Sequence, residues 1–73
     1  MATIQLLRKA GLLIDQLAQT PTTPAELAKI LDEPRSSIYR IAASLEDAGY
    51  VRQVGDGRLD LGATILHLGD CAA

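Results

Sequence analysis

Seventy-three residues, 48% of them hydrophobic but with neither Phe nor Trp, allow one small domain with an aliphatic core. The lone cysteine, Cys71, excludes an intrachain disulfide, and no secretory signal or membrane-spanning apolar run is visible, so a cytoplasmic setting with no membrane partner is expected. A net charge of -2 withholds the usual basic signature of a nucleic-acid binder, although four of the seven cations, Arg35, Arg40, Arg52 and Arg58, fall within the third helix and the hairpin after it.

The first helix is expected from Thr3 to about Gln19, with Ile4, Leu7, Ile14, Leu17 and Ala18 on one side. Leu6, Leu12 and Leu13 spread apolar surface beyond one stripe, and Gly11 weakens the helix by roughly 1 kcal/mol relative to Ala. Thr20–Pro24 is a linker that is hostile to helix. Thr23-Pro24-Ala25-Glu26 then reads as a capping box with proline at the first helical position, opening a second helix through Leu31. Asp32-Glu33 makes a short turn, and Pro34 sits in the first turn of a third helix that Gly49 ends as a left-handed cap. Tyr50–Val54 and Arg58–Leu61 flank Gly55-Asp56-Gly57, the pattern of a β-hairpin that Gly62 stops. A helical pattern resumes from Ala63 to Ala73 with Ile65, Leu66 and Leu68, interrupted by Gly69.

The third helix, about residues 34–48, carries the most information. Ile38, Ile41, Ala42, Leu45 and Ala48 form a core-facing stripe at about 100° per residue. Opposite lie Ser36, Arg40, Ala43 and Asp47, with Arg35, Ser37, Tyr39 and Ser44 on the flanks. Small side chains around two arginines let a helix backbone approach base edges in a major groove. The order helix, helix, short turn, helix, hairpin gives a mostly α fold with a small β-hairpin, a winged helix-turn-helix. Its parts are a three-helix core, a two-stranded wing at residues 50–61 and the start of a C-terminal linker helix. In such folds the helix after the short turn meets base edges through its N-terminal residues.

Leu27-Ala28, Pro34-Arg-Ser-Ser-Ile-Tyr-Arg40, Leu45-Glu-Asp-Ala-Gly-Tyr-Val51, Gly57-Arg58, Leu61-Gly62 and Leu66-His-Leu-Gly69 together resemble the N-terminal domain of IclR-type transcriptional regulators. The resemblance runs from about Ile4 to Gly69. It implies a bacterial or archaeal regulator whose DNA-binding domain, residues 1–62, is followed by a linker helix beginning at 63–73 and leading to an effector-binding domain absent from these residues. A small-molecule effector would act only through that absent domain. By the resemblance, Arg35, Ser36, Ser37, Tyr39 and Arg40 match the recognition segment, with Arg40 at the family's characteristic arginine. Asp32 and Glu33 stand where Gly-Leu is usual, and Leu59 replaces a common wing aromatic, with Asp60 after it. These departures imply weaker or more salt-sensitive binding and a reduced wing contact.

The candidate DNA-binding residues are therefore Thr22, Thr23, Arg35, Ser36, Ser37, Tyr39, Arg40, Ser44, Arg52 and Arg58. Each has a competing assignment. Arg40 is either a base reader or the partner of Glu46, Asp47 or another surface acid; Ser36 and Ser37 cap a helix or touch DNA; Tyr39 packs at the core edge or holds phosphate. Arg52 and Arg58 are solvated strand charges or phosphate contacts, Arg58 the better candidate beside the wing tip. Thr22 and Thr23 are most simply caps whose hydroxyls are also candidates for phosphate. The apolar surplus of the first helix, Ile4, Leu6, Leu7 and Leu13, is assigned to a homodimer interface that would set two recognition helices on a palindromic duplex. His67 and Cys71 share a helical face, but two ligands make a poor metal site, and neither a metal nor a cofactor is expected. One His, one Cys and no phosphate loop leave no catalytic set, which argues against an enzyme. The alternative is a winged-helix protein-interaction module, which would need large apolar or aromatic anchors on the recognition face, where Ser36, Arg40, Ala43 and Ser44 provide none.

Overall fold

The computed structural model describes residues 2–72, with side chains described for residues 5–69 and for Cys71. The elements run α1 (Ala2–Gln19), α2 (Pro24–Ile30), α3 (Arg35–Asp47), β1 (Val51–Val54), β2 (Arg58–Leu61) and α4 (Ala63–Ala72), with a 3₁₀ turn at Gly55–Gly57 joining the strands. The core lies where α1, α2, α3 and the hairpin converge, and consists of Leu13, Leu17, Leu27, Ala28, Ile38, Ile41, Ala42, Val51 and Leu59. The expected mostly helical architecture with one hairpin is the one observed.

Local chemistry sets each boundary. Thr23 caps α2: its Oγ1 accepts from Glu26 N–H at 3.2 Å and donates to Glu26 Oε1 at 2.9 Å, with Pro24 opening the helix. Helix α2 closes in a Schellman arrangement, Asp32 N–H donating to Lys29 O at 3.3 Å and Glu33 N–H to Ala28 O at 2.9 Å. Helix α3 closes in the same way, through Gly49 N–H to Glu46 O at 3.0 Å and Tyr50 N–H to Leu45 O at 2.9 Å. The left-handed position is Gly49 (φ 85°) in one and Asp32 (φ 54°) in the other. Pro34 is the N-cap of α3 rather than part of its first turn.

The hairpin pairs Val51 with Leu61, Arg52 with Asp60, Gln53 with Leu59 and Val54 with Arg58. This register turns Val51 and Leu59 inward, where both are buried. Thr22 adds an isolated bridge to Leu59, its N–H donating to Leu59 O at 3.1 Å and its carbonyl accepting from Leu59 N–H at 2.8 Å. The linker before α2 is thus stitched to the outer hairpin strand, a contact between residues distant in sequence that local pattern does not reveal.

The phase of α1 differs from expectation. Leu13 and Leu17 are buried and Ala10 packs against them, whereas Leu7 and Ala18 are exposed. Helix α1 is apolar on several sides, so periodicity alone does not choose the buried stripe; packing against α3 and β2 chooses it. On α3, Ile38, Ile41 and Ala42 are buried and Leu45 packs against the core, but Ala48 is exposed at the helix end. Helix α4 continues through Gly69 without interruption.

At Gly62 two backbone segments approach closely. A Cβ at Gly62 would lie 2.3 Å from Gly49 O and 2.9 Å from Gly49 C. Gly62 N–H donates to Tyr50 O at 2.8 Å, and Thr64 N–H donates to Gly49 O at 3.1 Å. These bonds tie the start of α4 to the end of α3.

Candidate nucleic-acid interface

Burying Ile38, Ile41 and Ala42 forces the opposite side of α3 outward. Arg35, Ser36, Tyr39, Arg40, Ala43, Ser44, Glu46 and Asp47 are all exposed, while Ser37 is half-buried. Ser36, Arg40, Ala43 and Asp47 form the outermost strip. Its backbone is sheltered only by small side chains except at Arg40 and Asp47.

Each flank of this strip borders a cleft. Toward α1, Ser37, Arg40 and Ser44 line a cleft of about 440 Å³ with Leu6, Leu7 and Leu45. Toward the hairpin, Tyr39, Ala43 and Glu46 line a smaller one of about 260 Å³ with Pro24, Gln53 and Leu59. The hairpin therefore stands beside the exposed strip of α3 as a wing. Gln53 and Glu46, absent from the sequence-derived set, also line this second cleft, Gln53 through its pairing opposite Leu59 and Glu46 from α3.

The competing ion pair for Arg40 is not formed. Among the described residues, neither Arg35 nor Arg40 has a carboxylate within 4.0 Å, nor does Arg52, although Asp60 faces Arg52 across the hairpin. Asp60 Oδ1 accepts instead from Leu61 N–H at 2.8 Å. Arg58 folds back on the wing tip, 3.9 Å from Asp56 Oδ2 and with its Nε donating to Gly55 O at 3.5 Å. Of the two acids preceding α3, Glu33 pairs with Lys9 Nζ at 3.1 Å, whereas Asp32 is exposed.

Two candidates do not fit the surface assigned to them. Thr22 is 3% exposed, and its hydroxyl donates to Thr20 O at 2.9 Å, so it is a core and bridge residue without a hydroxyl to offer phosphate. Leu13 is 0% exposed in the domain's own core, which removes it from any dimer surface. Leu6 and Leu7, at 54% and 69%, are exposed as that assignment requires, while the side chain of Ile4 lies outside the described residues. Thr23 is half-buried and its hydroxyl is engaged with Glu26, which makes it a helix cap first. On α4, Cys71 Sγ lies 3.7 Å from His67 Nε2, and no group of three or more potential metal ligands occurs among the described residues. No described helix is long and apolar enough to cross a membrane.

Known structures share this arrangement. The repressor BlcR of Agrobacterium tumefaciens is 29% identical, with 97% of this chain and 29% of that one covered at a TM-score of 0.81. Thermotoga maritima IclR is similar in fold at 24% identity, with 94% and 29% covered and a TM-score of 0.81. Pseudomonas aeruginosa HmgR shares the fold at 23% identity, with 99% and 30% covered and a TM-score of 0.78. The chain thus spans under a third of the length of each of these proteins. No curated protein matches it significantly. Residues 6–55 match the family model for the IclR helix-turn-helix domain. With its winged architecture and exposed α3 strip, the chain belongs to the IclR helix-turn-helix family of DNA-binding domains of transcription regulators.

Proposed function

We propose that the chain binds double-stranded DNA sequence-specifically, with α3 in the major groove and the wing near the backbone or minor groove. The observation that carries this reading is the outward strip of α3, where small residues surround an Arg40 guanidinium free of any carboxylate within 4.0 Å among the described residues. An unpaired guanidinium on such a strip suits bidentate contact with guanine O6 and N7, a contact worth about 1–3 kcal/mol of discrimination. Arg35, at the first position of α3, suits a phosphate contact, together with the exposed Ser36. Ser37, Tyr39 and Ser44 flank the same strip. Arg52 and Arg58 suit backbone contact from the wing, Arg58 after release from Asp56.

Residues 1–62 act as the DNA-binding unit, and residues 63–73 begin a linker helix toward an effector-binding domain, as the greater length of the similar structures suggests. The protein works as a cytoplasmic homodimer on a palindromic operator. The exposed Leu6 and Leu7, beside an open cleft, supply apolar surface for the partner subunit. An effector would act by resetting the spacing of two recognition helices.

Selection of bound duplexes from a random pool, by the chain and by Arg40→Ala at two salt concentrations, tests the reading. A palindromic consensus that survives moderate salt and is lost in the variant is expected. Retention that is blind to sequence, collapses with salt and ignores Arg40 would reduce the activity to phosphate attraction and overturn it.

A further inference from the structure

We infer that Asp32 is an electrostatic brake on DNA binding: its carboxylate repels duplex phosphates and holds the affinity of the domain down on every sequence. The inference rests on the proposed approach of α3 to DNA. Asp32 occupies the left-handed position of the Schellman turn that ends α2, with φ at 54°. That position favours glycine, because a Cβ crowds the neighbouring carbonyl there. The turn that ends α3 has the same hydrogen-bond pattern and does hold glycine, at Gly49. The backbone thus gives no reason for a side chain at residue 32.

Nor do local contacts give one. The Asp32 carboxylate makes no hydrogen bond or ion pair among the described residues, and α3 takes no side-chain cap from it. Its neighbours around a shallow surface depression include Lys29, Glu33 and Arg35. Lys29 and Arg35 both lie beyond 4.0 Å from it, and Glu33 is committed to Lys9 at 3.1 Å. The turn that leads into α3 therefore carries a carboxylate engaged in no ion pair among the described residues, three residues before Arg35.

An anion beside a helix N-terminus could serve the helix dipole instead, and α3 has no acidic residue in its first turn. The two roles separate experimentally. A dipole role appears in folding stability, whereas a brake appears in duplex affinity. A unit charge held about 8 Å from phosphate in a water-like medium changes affinity roughly two- to fivefold at low salt. Salt screens that repulsion, so Asp32 flattens the salt dependence rather than steepening it as the sequence suggested.

The test measures affinity of the chain, Asp32→Asn and Asp15→Asn for a mixed-sequence duplex of two helical turns, and for a duplex obtained by selection, from low to moderate salt. Asparagine tolerates the left-handed conformation while removing the charge. Asp15 is exposed on the side of α1 away from Leu13 and Leu17, so its variant controls for net charge. Asp32→Asn is expected to bind both duplexes roughly two- to fivefold tighter at low salt, with the gain shrinking as salt rises and with Asp15→Asn unchanged. Equal gains in the two variants, a gain confined to one sequence, or a loss of thermal stability without gain in affinity would each overturn the brake. A chain that retains neither duplex at low salt would overturn the DNA-binding reading itself, and this inference with it.

Discussion

Replacing Gly62 with Ala places one methyl group where the structure has no room for it. The added Cβ would stand 2.3 Å from Gly49 O, 2.9 Å from Gly49 C and 3.0 Å from Tyr50 C. All three are backbone atoms, so no side chain can swing aside. Relief requires the start of α4 to move away from the end of α3, which breaks Gly62 N–H to Tyr50 O at 2.8 Å and Thr64 N–H to Gly49 O at 3.1 Å. Each such bond contributes about 1 kcal/mol net, and overpacking adds about 1–3 kcal/mol. The expected loss is therefore about 3–5 kcal/mol, read by urea denaturation with circular dichroism and equivalent to a fall of at least about 12 °C in Tm. For a domain of this size that is a large part of the total stability. Gly11→Ala provides the internal contrast. Nothing lies within 4 Å of a Cβ there, and the site is exposed within α1. It should gain roughly 0.5–1 kcal/mol of helix stability. A Gly62→Ala chain as stable as the parent would refute the close approach of α4 to the Gly49 turn.

Further outcomes follow from the caps and the two sides of α1. Asp32→Gly should raise the midpoint of urea unfolding by about 1 kcal/mol equivalent, because glycine relieves the left-handed strain at φ 54°; a loss of stability would mean that the carboxylate supports the turn. Thr23→Ala removes the cap on Glu26 N–H and should cost about 1 kcal/mol by the same assay, and no measurable loss would deny the cap its role. Leu13→Ala should cost about 2–5 kcal/mol, since the side chain is fully buried, whereas Leu7→Ala should leave folding within about 0.5 kcal/mol. Sedimentation of Leu7→Asp should show weakened self-association under the dimer proposal; a sedimentation profile identical to that of an associating parent would remove Leu7 from the interface.

Much of the fold is legible because its signals are local. Thr23, Pro24 and Glu26 announce the start of α2 through groups three residues apart. The Gly49 cap and the Gly55–Gly57 tip declare themselves by residue type, since both include left-handed positions. What stays hidden depends on partners far away in sequence. The phase of α1 is set by α3 and β2, so a helix apolar on several sides concealed that Leu13 is inside and Leu7 outside. Thr22 reads as a polar linker residue until Leu59 pairs with its backbone and buries it. Lys9 and Glu33 lie on separate elements, so no local pattern couples them. On the interface, the helical period alone separates Ile38 and Ile41 from Ser36 and Arg40. The same period does not reveal that Arg40 and Ser44 also wall a cleft with Leu6 and Leu7, because that requires the packing of α1.

The central claim is that α3, with the wing beside it, is the surface that meets DNA. Titrating a selected duplex into the isotopically labelled chain and following backbone amide resonances tests that claim residue by residue. The largest shifts are expected within residues 35–44 and the wing around Arg52 and Arg58, with little change at Asp15 on the outer side of α1 or at His67 on α4. Shifts concentrated on α1 and α4, with α3 silent, would contradict the account.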